Sequence, residues 1–275
     1  MDHFPTNWGR PKYDSFDTHA TYPIHNRGHA QSAASNGAVQ HTHFSHSKSA
    51  LRQPIVTGTS VLAIKYKDGI MMAADNLASY GSLARFKGVQ RLHPVGDYTV
   101  VGASGDMSDF QYLQHILDGL VISEEANLQD GHTLGPAEIH EYLSQVMYQR
   151  RTKMDPLWNS LLVGGVKDGK RFLAFVDLLG VTYSASTLAT GYGAYIAQPL
   201  LRKAVEGRED TLTEHEARTI LEDALRVLFY RDARSINQYQ IATITANGAD
   251  ISGSLKLETA WGFAEGIRGY GAQTQ

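Results

Sequence analysis

Residues 55–75 read IVTGTSVLAIKYKDGIMMAAD, and how that stretch is read decides the fold. From Val61 to Tyr66 every position but Lys65 is apolar, which suits a strand buried on both faces rather than one with a wet side. Asp68-Gly69 predicts a hairpin turn, on the ground that glycine tolerates positive φ where a chain reverses. Ile70–Ala74 then return as a second strand and carry Asp75 back toward Thr59, at the start of the first. The hairpin would bring a hydroxyl and a carboxylate together, which is a chemical arrangement as well as a structural one.

Downstream, Leu77–Gly88 reads as a polar loop, Arg91 marks re-entry into a strand, and Tyr98–Ser104 is a second apolar strand. Phe110, Leu113, Leu117 and Leu120 recur at helical spacing, and residues 123–135 read as a loop. Pro136 suits the first turn of a helix that places Ile139, Leu143, Val146 and Met147 on one face. Strands return at Ser160–Val166 and Arg171–Asp177, hinged at Asp168-Gly169. Tyr192–Val205 reads as a helix that Pro199 should kink or shorten. Thr213 and Glu216 form a capping box ahead of an apolar face running from Ala217 to Leu228, and Asn247-Gly248 sits in a last hairpin. The order is strands, two helices, strands, two helices, strands. Hairpins dominate it, which excludes strict βαβ alternation. The expected fold is a four-layer α/β/β/α sandwich of two antiparallel sheets, one domain over 53–260 with a tail at 261–275.

Residues 1–52 differ in kind. Seven of the twelve histidines fall in the first fifty residues, among Ser, Asn, Thr and Gly with few aliphatics. Such a segment buries too little apolar area to offset its ordering entropy, so it reads as a disordered pro-segment. His41, His43 and His46 could chelate a metal, but a binding site needs fixed geometry. No metal and no cofactor is expected. The net charge of −3 provides no basic footprint for nucleic acid. Without cysteine there is no disulfide, thiolate zinc site or cysteine nucleophile. No apolar run approaches the roughly 18 residues of a membrane span, and the N-terminus lacks a signal-like apolar core. A soluble intracellular protein is expected.

Gly58-Thr59 opening a strand, Gly69–Asp75, Gly102-Ala-Ser-Gly105-Asp106 and Tyr230-Arg-Asp232-Ala-Arg-Ser235 together resemble a β-type subunit of the 20S proteasome, in family order over about 53–270. The stretches QPIVTGTSV, SYGSLARF, MYQRR, PLWN and LATGYGA resemble one branch in particular, the seventh position of the eukaryotic β ring. The resemblance implies the N-terminal-nucleophile hydrolase fold. In active members, cleavage after Gly frees a Thr whose hydroxyl attacks the peptide carbonyl, with the new α-amine as base. A Lys beside that hydroxyl tunes the proton transfer. Aligned from Thr59 and Asp75, the Lys position falls on Arg91, whose guanidinium cannot shuttle a proton as an amine does. The small Ser of active members falls on Tyr192, after Gly191, where a phenol ring would crowd the Thr. Asp75, Asp232 and Ser235 keep the active pattern, and Gly58 keeps the residue that self-cleavage needs.

General acid–base catalysis is worth about 10²–10⁴-fold, so loss of the shuttle weighs heavily. The expectation is a non-catalytic structural β subunit with a degenerate pocket at Thr59, Asp75, Arg91, Tyr192, Asp232 and Ser235, supporting assembly and ubiquitin-dependent protein degradation. The alternative is an active N-terminal threonine protease. The resemblance further implies cytoplasmic and nuclear location and contacts with β subunits of the same and opposite ring and with α-ring subunits. Assembly chaperones are further possible partners. It also implies trimming near Ala50, Leu51 and Arg52, with residues 53–58 retained. The tail supplies Trp261, Phe263, Ile267 and Tyr270 as anchors for a neighbouring chain, set among glycines that are costly to order alone.

Overall fold

The computed structural model describes residues 53–127 and 133–267, the side chains at 125, 127 and 265–267 excepted. Strand β1 covers Val56–Gly58, β2 Val61–Tyr66 and β3 Gly69–Asp75. Then come β4 (Leu77–Tyr80), β5 (Leu83–Lys87), β6 (Leu92–Val95) and β7 (Thr99–Asp106). Helices α1 (Met107–Asn127) and α2 (Pro136–Thr152) lead to β8 (Asn159–Lys167) and β9 (Lys170–Val176). Short strands β10 (Thr182–Ser184) and β11 (Thr187–Ala189) precede α3 (Gly193–Val205) and α4 (Glu214–Arg231). Strands β12 (Gln238–Thr245), β13 (Gly248–Ile251) and β14 (Leu255–Lys256) and a 3-10 turn at Gly262–Ile267 close the described chain.

Among the described residues the strands form two antiparallel sheets. One runs β10-β9-β8-β7-β1-β4-β5 with β6 beside β7; the other runs β11-β2-β3-β12-β13 with β14 on β12. Side-chain alternation along β2 shows how they stack. Val61 and Ala63 point into a cluster with Ile70, Met72, Val100, Leu162 and Ile244, drawn from both sheets. Leu62, Ile64 and Tyr66 point the other way, against Leu201 of α3 and Leu221 and Leu225 of α4. The remaining face of the first sheet packs Val101, Leu161 and Val163 on Phe110 and Leu117 of α1 and Leu143 and Met147 of α2. Both faces of β2 and β3 are therefore dry, which is why their sequence is nearly all apolar. The fold is the expected four-layer sandwich.

Four local readings change. The stretch 77–88 is the β4–β5 hairpin rather than a polar loop; all five residues of β5 are exposed, so no buried face imprints a pattern on it. Helix α1 continues to Asn127, through residues that read as loop. Residues 56–58 form a separate strand in the other sheet from β2, with Thr57 opposite both Ser79 and Asp106. Glycine at 69 answers a close approach rather than a positive φ: a Cβ there would lie 1.9 Å from the Ile244 carbonyl oxygen of β12. The positive-φ pair is Asp168 (51°) and Gly169 (71°), between β8 and β9. Helix α3 does run through Pro199, and Thr213 does cap α4, accepting from Glu216 N.

The contact at Gly69 is with backbone, which cannot yield without unpairing β3 from β12. Gly69→Ala should destabilise the fold by about 2 kcal/mol or more, whereas Gly81→Ala, with open space around it, should cost only its left-handed backbone strain. Denaturant midpoints of the two variants check this ordering.

Candidate functional site

The site forms where the end of β1, the start of β2, the end of β3 and the turn after α4 converge. Thr59 follows β1 directly, so its hydroxyl is placed by a strand held on both sides: Thr57 and Gly58 pair with Asp106 and Gly105 of β7, and Val56 and Thr57 with Tyr80 and Ser79 of β4. Asp106 pins the upstream end. Its Oδ2 accepts from Ile55 N at 3.0 Å while Oδ1 caps α1, accepting from Ser108 N and Asp109 N.

Thr59 Oγ1 donates to Asp232 Oδ2 at 2.6 Å. Asp232, at the C-terminal cap of α4, is fixed in turn by Arg234 N on Oδ1 at 2.8 Å. The hairpin therefore does not join Thr59 to Asp75, as the sequence suggested. One Asp75 oxygen pairs with Arg91 and the other accepts from Ile236 N at 3.1 Å. Burial pushes the Asp75 carboxyl up from 3.8 to about 6, while the Arg91 charge and the Ile236 bond pull against that rise.

Arg91 is the largest fully buried side chain, 1% exposed just before β6. All five of its N–H donors have acceptors. Nε donates to Asp75 O at 2.9 Å, Nη1 to Thr59 O at 2.7 Å and Ala103 O at 3.2 Å, and Nη2 to Ser60 O at 2.9 Å and to the Asp75 carboxylate. That is the full capacity of a guanidinium. The group grips the backbone on either side of the Thr59–Ser60 link, with no donor left over for the Thr59 hydroxyl.

Gly58 gains a second meaning. A Cβ at that position would lie 2.5 Å from Arg91 Cδ, so the buried stem of Arg91 requires a glycine there whether or not the bond is ever cut. The retained Gly is no longer an argument for self-cleavage.

Ser235 donates to Asp232 O at 2.8 Å and to Leu228 O at 3.4 Å, closing the end of α4. Thr59, Asp75, Asp232 and Ser235 share a small cavity of about 10 Å³ with Ser60, Leu225, Leu228, Ile236, Tyr239 and Leu257, room for about one water. Tyr192 is not among those lining residues. It is 59% exposed at the head of α3, on an open groove with Thr190, Ala194 and Tyr195, so its ring does not crowd Thr59 as expected. Sequence reading missed Ser60 and Thr190. Ser60 Oγ accepts from Gly193 N at 2.8 Å and Thr190 Oγ1 from Val61 N at 2.9 Å, tying the start of β2 to the α3 turn. Both lie inside stretches quoted for the family resemblance, QPIVTGTSV and LATGYGA, but nothing in the sequence singled out their hydroxyls.

The tail anchors are placed in part. Trp261 and Phe263 pack edge-on against this chain's own Tyr230, with ring centroids 4.7 and 5.0 Å away, and Phe229 meets Trp261 at 5.7 Å. Each keeps about half its surface open, at 47% and 50%. They begin as part of the chain's own fold rather than as free anchors. The Ile267 side chain, Tyr270, the trimming positions Ala50, Leu51 and Arg52, and His41, His43 and His46 lie outside the described residues.

A sheet-and-helix sandwich with Thr at the head of its central hairpin defines a class, and comparison with known proteins agrees. Residues 55–244 match the family model described as Proteasome subunit, and the chain belongs to that family. It is 48% identical over 281 residues to proteasome subunit beta type-7 of Saccharomyces cerevisiae, covering 99% of both chains. It is 48% identical over 234 residues to proteasome subunit beta type-4 of Xenopus laevis, covering 85% of this chain and 92% of that one. A third relative, named probable proteasome subunit beta type-7 in Schizosaccharomyces pombe, is 48% identical over 97% of this chain and 96% of its own. The chain is thus a β-type component of the proteasome core, within a complex that degrades proteins.

Arg91→Lys removes two donors at a fully buried site and should cost about 2–4 kcal/mol, read from denaturant unfolding. Asp75 carries a sign as well. Its folded pKa lies above its unfolded value, so the native state keeps the proton to higher pH. Its contribution is fully present below about 3.8 and is lost as pH rises through about 6. The stability of the parent relative to Asp75→Asn should therefore fall between those pH values and be level above them.

Proposed function

We propose that this chain is a non-catalytic structural β subunit of the 20S core particle, its degenerate nucleophile site converted into a backbone clamp. The observation that carries this reading is the engagement of all five Arg91 donors by the carbonyls of Thr59, Ser60, Asp75 and Ala103 and the Asp75 carboxylate. An active site needs a proton-shuttling group at that place, aimed at the hydroxyl.

The paired strand β1 supports the same reading. Cutting before Thr59 would release the strand that joins β7 to the β4–β5 hairpin, because β4 pairs only with β1 and β5 among the described residues. In this proposal the chain is trimmed near Ala50–Arg52 by an active neighbour, and residues 53–58 stay in the sheet as a fixture where a substrate would otherwise lie. Thr59 then never acquires a free α-amine. The subunit sits in a β ring between other β subunits, against an α ring and facing a second β ring, with assembly chaperones acting before closure, in cytoplasm and nucleus.

An electrophilic peptide that traps N-terminal Thr should label other subunits of the particle and leave this chain unlabelled. Its mature N-terminus should lie upstream of Gly58, and Thr59→Ala should leave proteolysis and assembly within twofold of the parent. An adduct on Thr59, or Thr59 found as the mature N-terminus, would establish the active-protease alternative instead.

The tail is proposed to reach a neighbouring subunit beyond the aromatic cluster. Truncation after Ile267 should leave the thermal midpoint unchanged while lowering the yield of joined half-particles. Truncation after Trp261 should also lower the midpoint, because it removes Phe263 from Tyr230 and from beneath the Arg231 guanidinium.

A further inference from the structure

Two of the stretches that mark this branch, MYQRR and PLWN, play no part in the nucleophile site. They flank the turn that ends α2. There Met154 N–H donates to Arg151 O at 3.1 Å and Asp155 N–H to Arg150 O at 3.0 Å. This is the paired pattern of a Schellman cap, and Met154 occupies the position that is left-handed in such caps and usually filled by glycine. Its φ is +54° and its side chain is 90% exposed. An unbranched apolar residue thus sits in strained backbone, open to solvent among the described residues.

The turn is rigid. Arg150 Nε donates to Asp155 O at 2.9 Å and its Nη2 pairs with the Asp155 carboxylate at 3.4 Å, while Trp158 N–H donates to Asp109 Oδ2 at 2.9 Å. The surface around Met154 has the composition of a binding hot spot. The Arg151 guanidinium lies 5.9 Å over the half-exposed ring of Tyr148, and Gly180, next in sequence to the exposed Leu179, packs closely against Tyr148. Trp158, in the PLWN stretch that follows the turn, is 40% exposed. Arg151 and Lys153 are exposed and make no ion pair among the described residues, so the rim is cationic.

We infer that Met154 is a preformed knob for another subunit of the particle, one that offers an apolar socket edged by Asp or Glu. The inference rests on the proteasome reading for its partner. The cationic rim selects an acidic edge, and the capped turn fixes the knob's backbone, so that only its side chain is left to order on binding.

Oxidation footprinting tests it on the full chain, alone as precursor and in purified core particle. In the particle, Met154 should be protected from peroxide at least tenfold relative to the precursor. A photoreactive methionine analogue at 154 should cross-link to one other subunit, at an acidic-edged site. Met154→Gly separates contact from folding. Glycine relieves the +54° backbone, so the precursor's thermal midpoint should hold or rise while incorporation falls several-fold. Arg151→Glu with Lys153→Glu should lower incorporation further and remove its salt dependence. Met154 oxidised in the particle as fast as in the precursor, or Met154→Gly incorporated like the parent, overturns the inference. Neither result touches the family role, which would fail only if the chain were missing from the particle altogether.

Discussion

The arrangement on which this structure depends is a buried guanidinium with every donor engaged. Arg91 lies between the two sheets' working ends and bonds to the turn after β1, the end of β3 and the body of β7 at once. A buried cation without partners would cost far more than the fold could tolerate, and five acceptors with a carboxylate among them remove that cost. Replacing any acceptor strands a donor in a dry site. The clamp therefore constrains its neighbours strictly: Gly58 because the stem covers it, Asp75 because it carries the counter-charge, and the Thr59–Ser60 backbone because its carbonyls are ligands.

That constraint explains how a site can keep most residues of a catalytic pattern and still be read as structural. Each retained residue has a bonding partner independent of turnover. Asp75 answers Arg91 and Ile236, Asp232 receives the Thr59 hydroxyl and the Arg234 amide, and Ser235 closes α4. The cavity they share has room for about one water. Buried polar groups fix one another in networks, and such a network is held for stability whether or not it performs chemistry.

The strand upstream of Thr59 is the second consequence. Strand β1 is an interior strand of an eight-stranded sheet, so the segment before Thr59 is held on both sides. Asp106 links its start to the first turn of α1, so the segment is tied to a helix as well as to β4 and β7. The C-terminal region follows the same principle, since Trp261 and Phe263 lie on Tyr230 before the chain can reach anything else.

Much of this was legible in the sequence. Continuous apolar runs at 61–66 and 70–74 announced strands dry on both faces, and helical spacing at 110–120, 139–147 and 217–228 supplied a covering helix layer for each sheet; together these define the sandwich. The motif residues Thr59, Asp75, Arg91, Asp232 and Ser235 do converge on one site. What tertiary structure alone decided is who bonds to whom. Period-2 alternation cannot tell that Thr59 meets Asp232, 173 positions away, rather than Asp75 across its own hairpin. Strands of three residues such as β1, β10 and β11 are too short to show a period, and the exposed β5 has no buried face to imprint one. A glycine in a sequence also looks the same whether it answers a turn, as Gly169 does, or the approach of another strand's carbonyl, as Gly69 does. Composition and period record burial, which is a local average; register and hydrogen-bond partnership are pairwise facts that exist only once distant segments have been brought together.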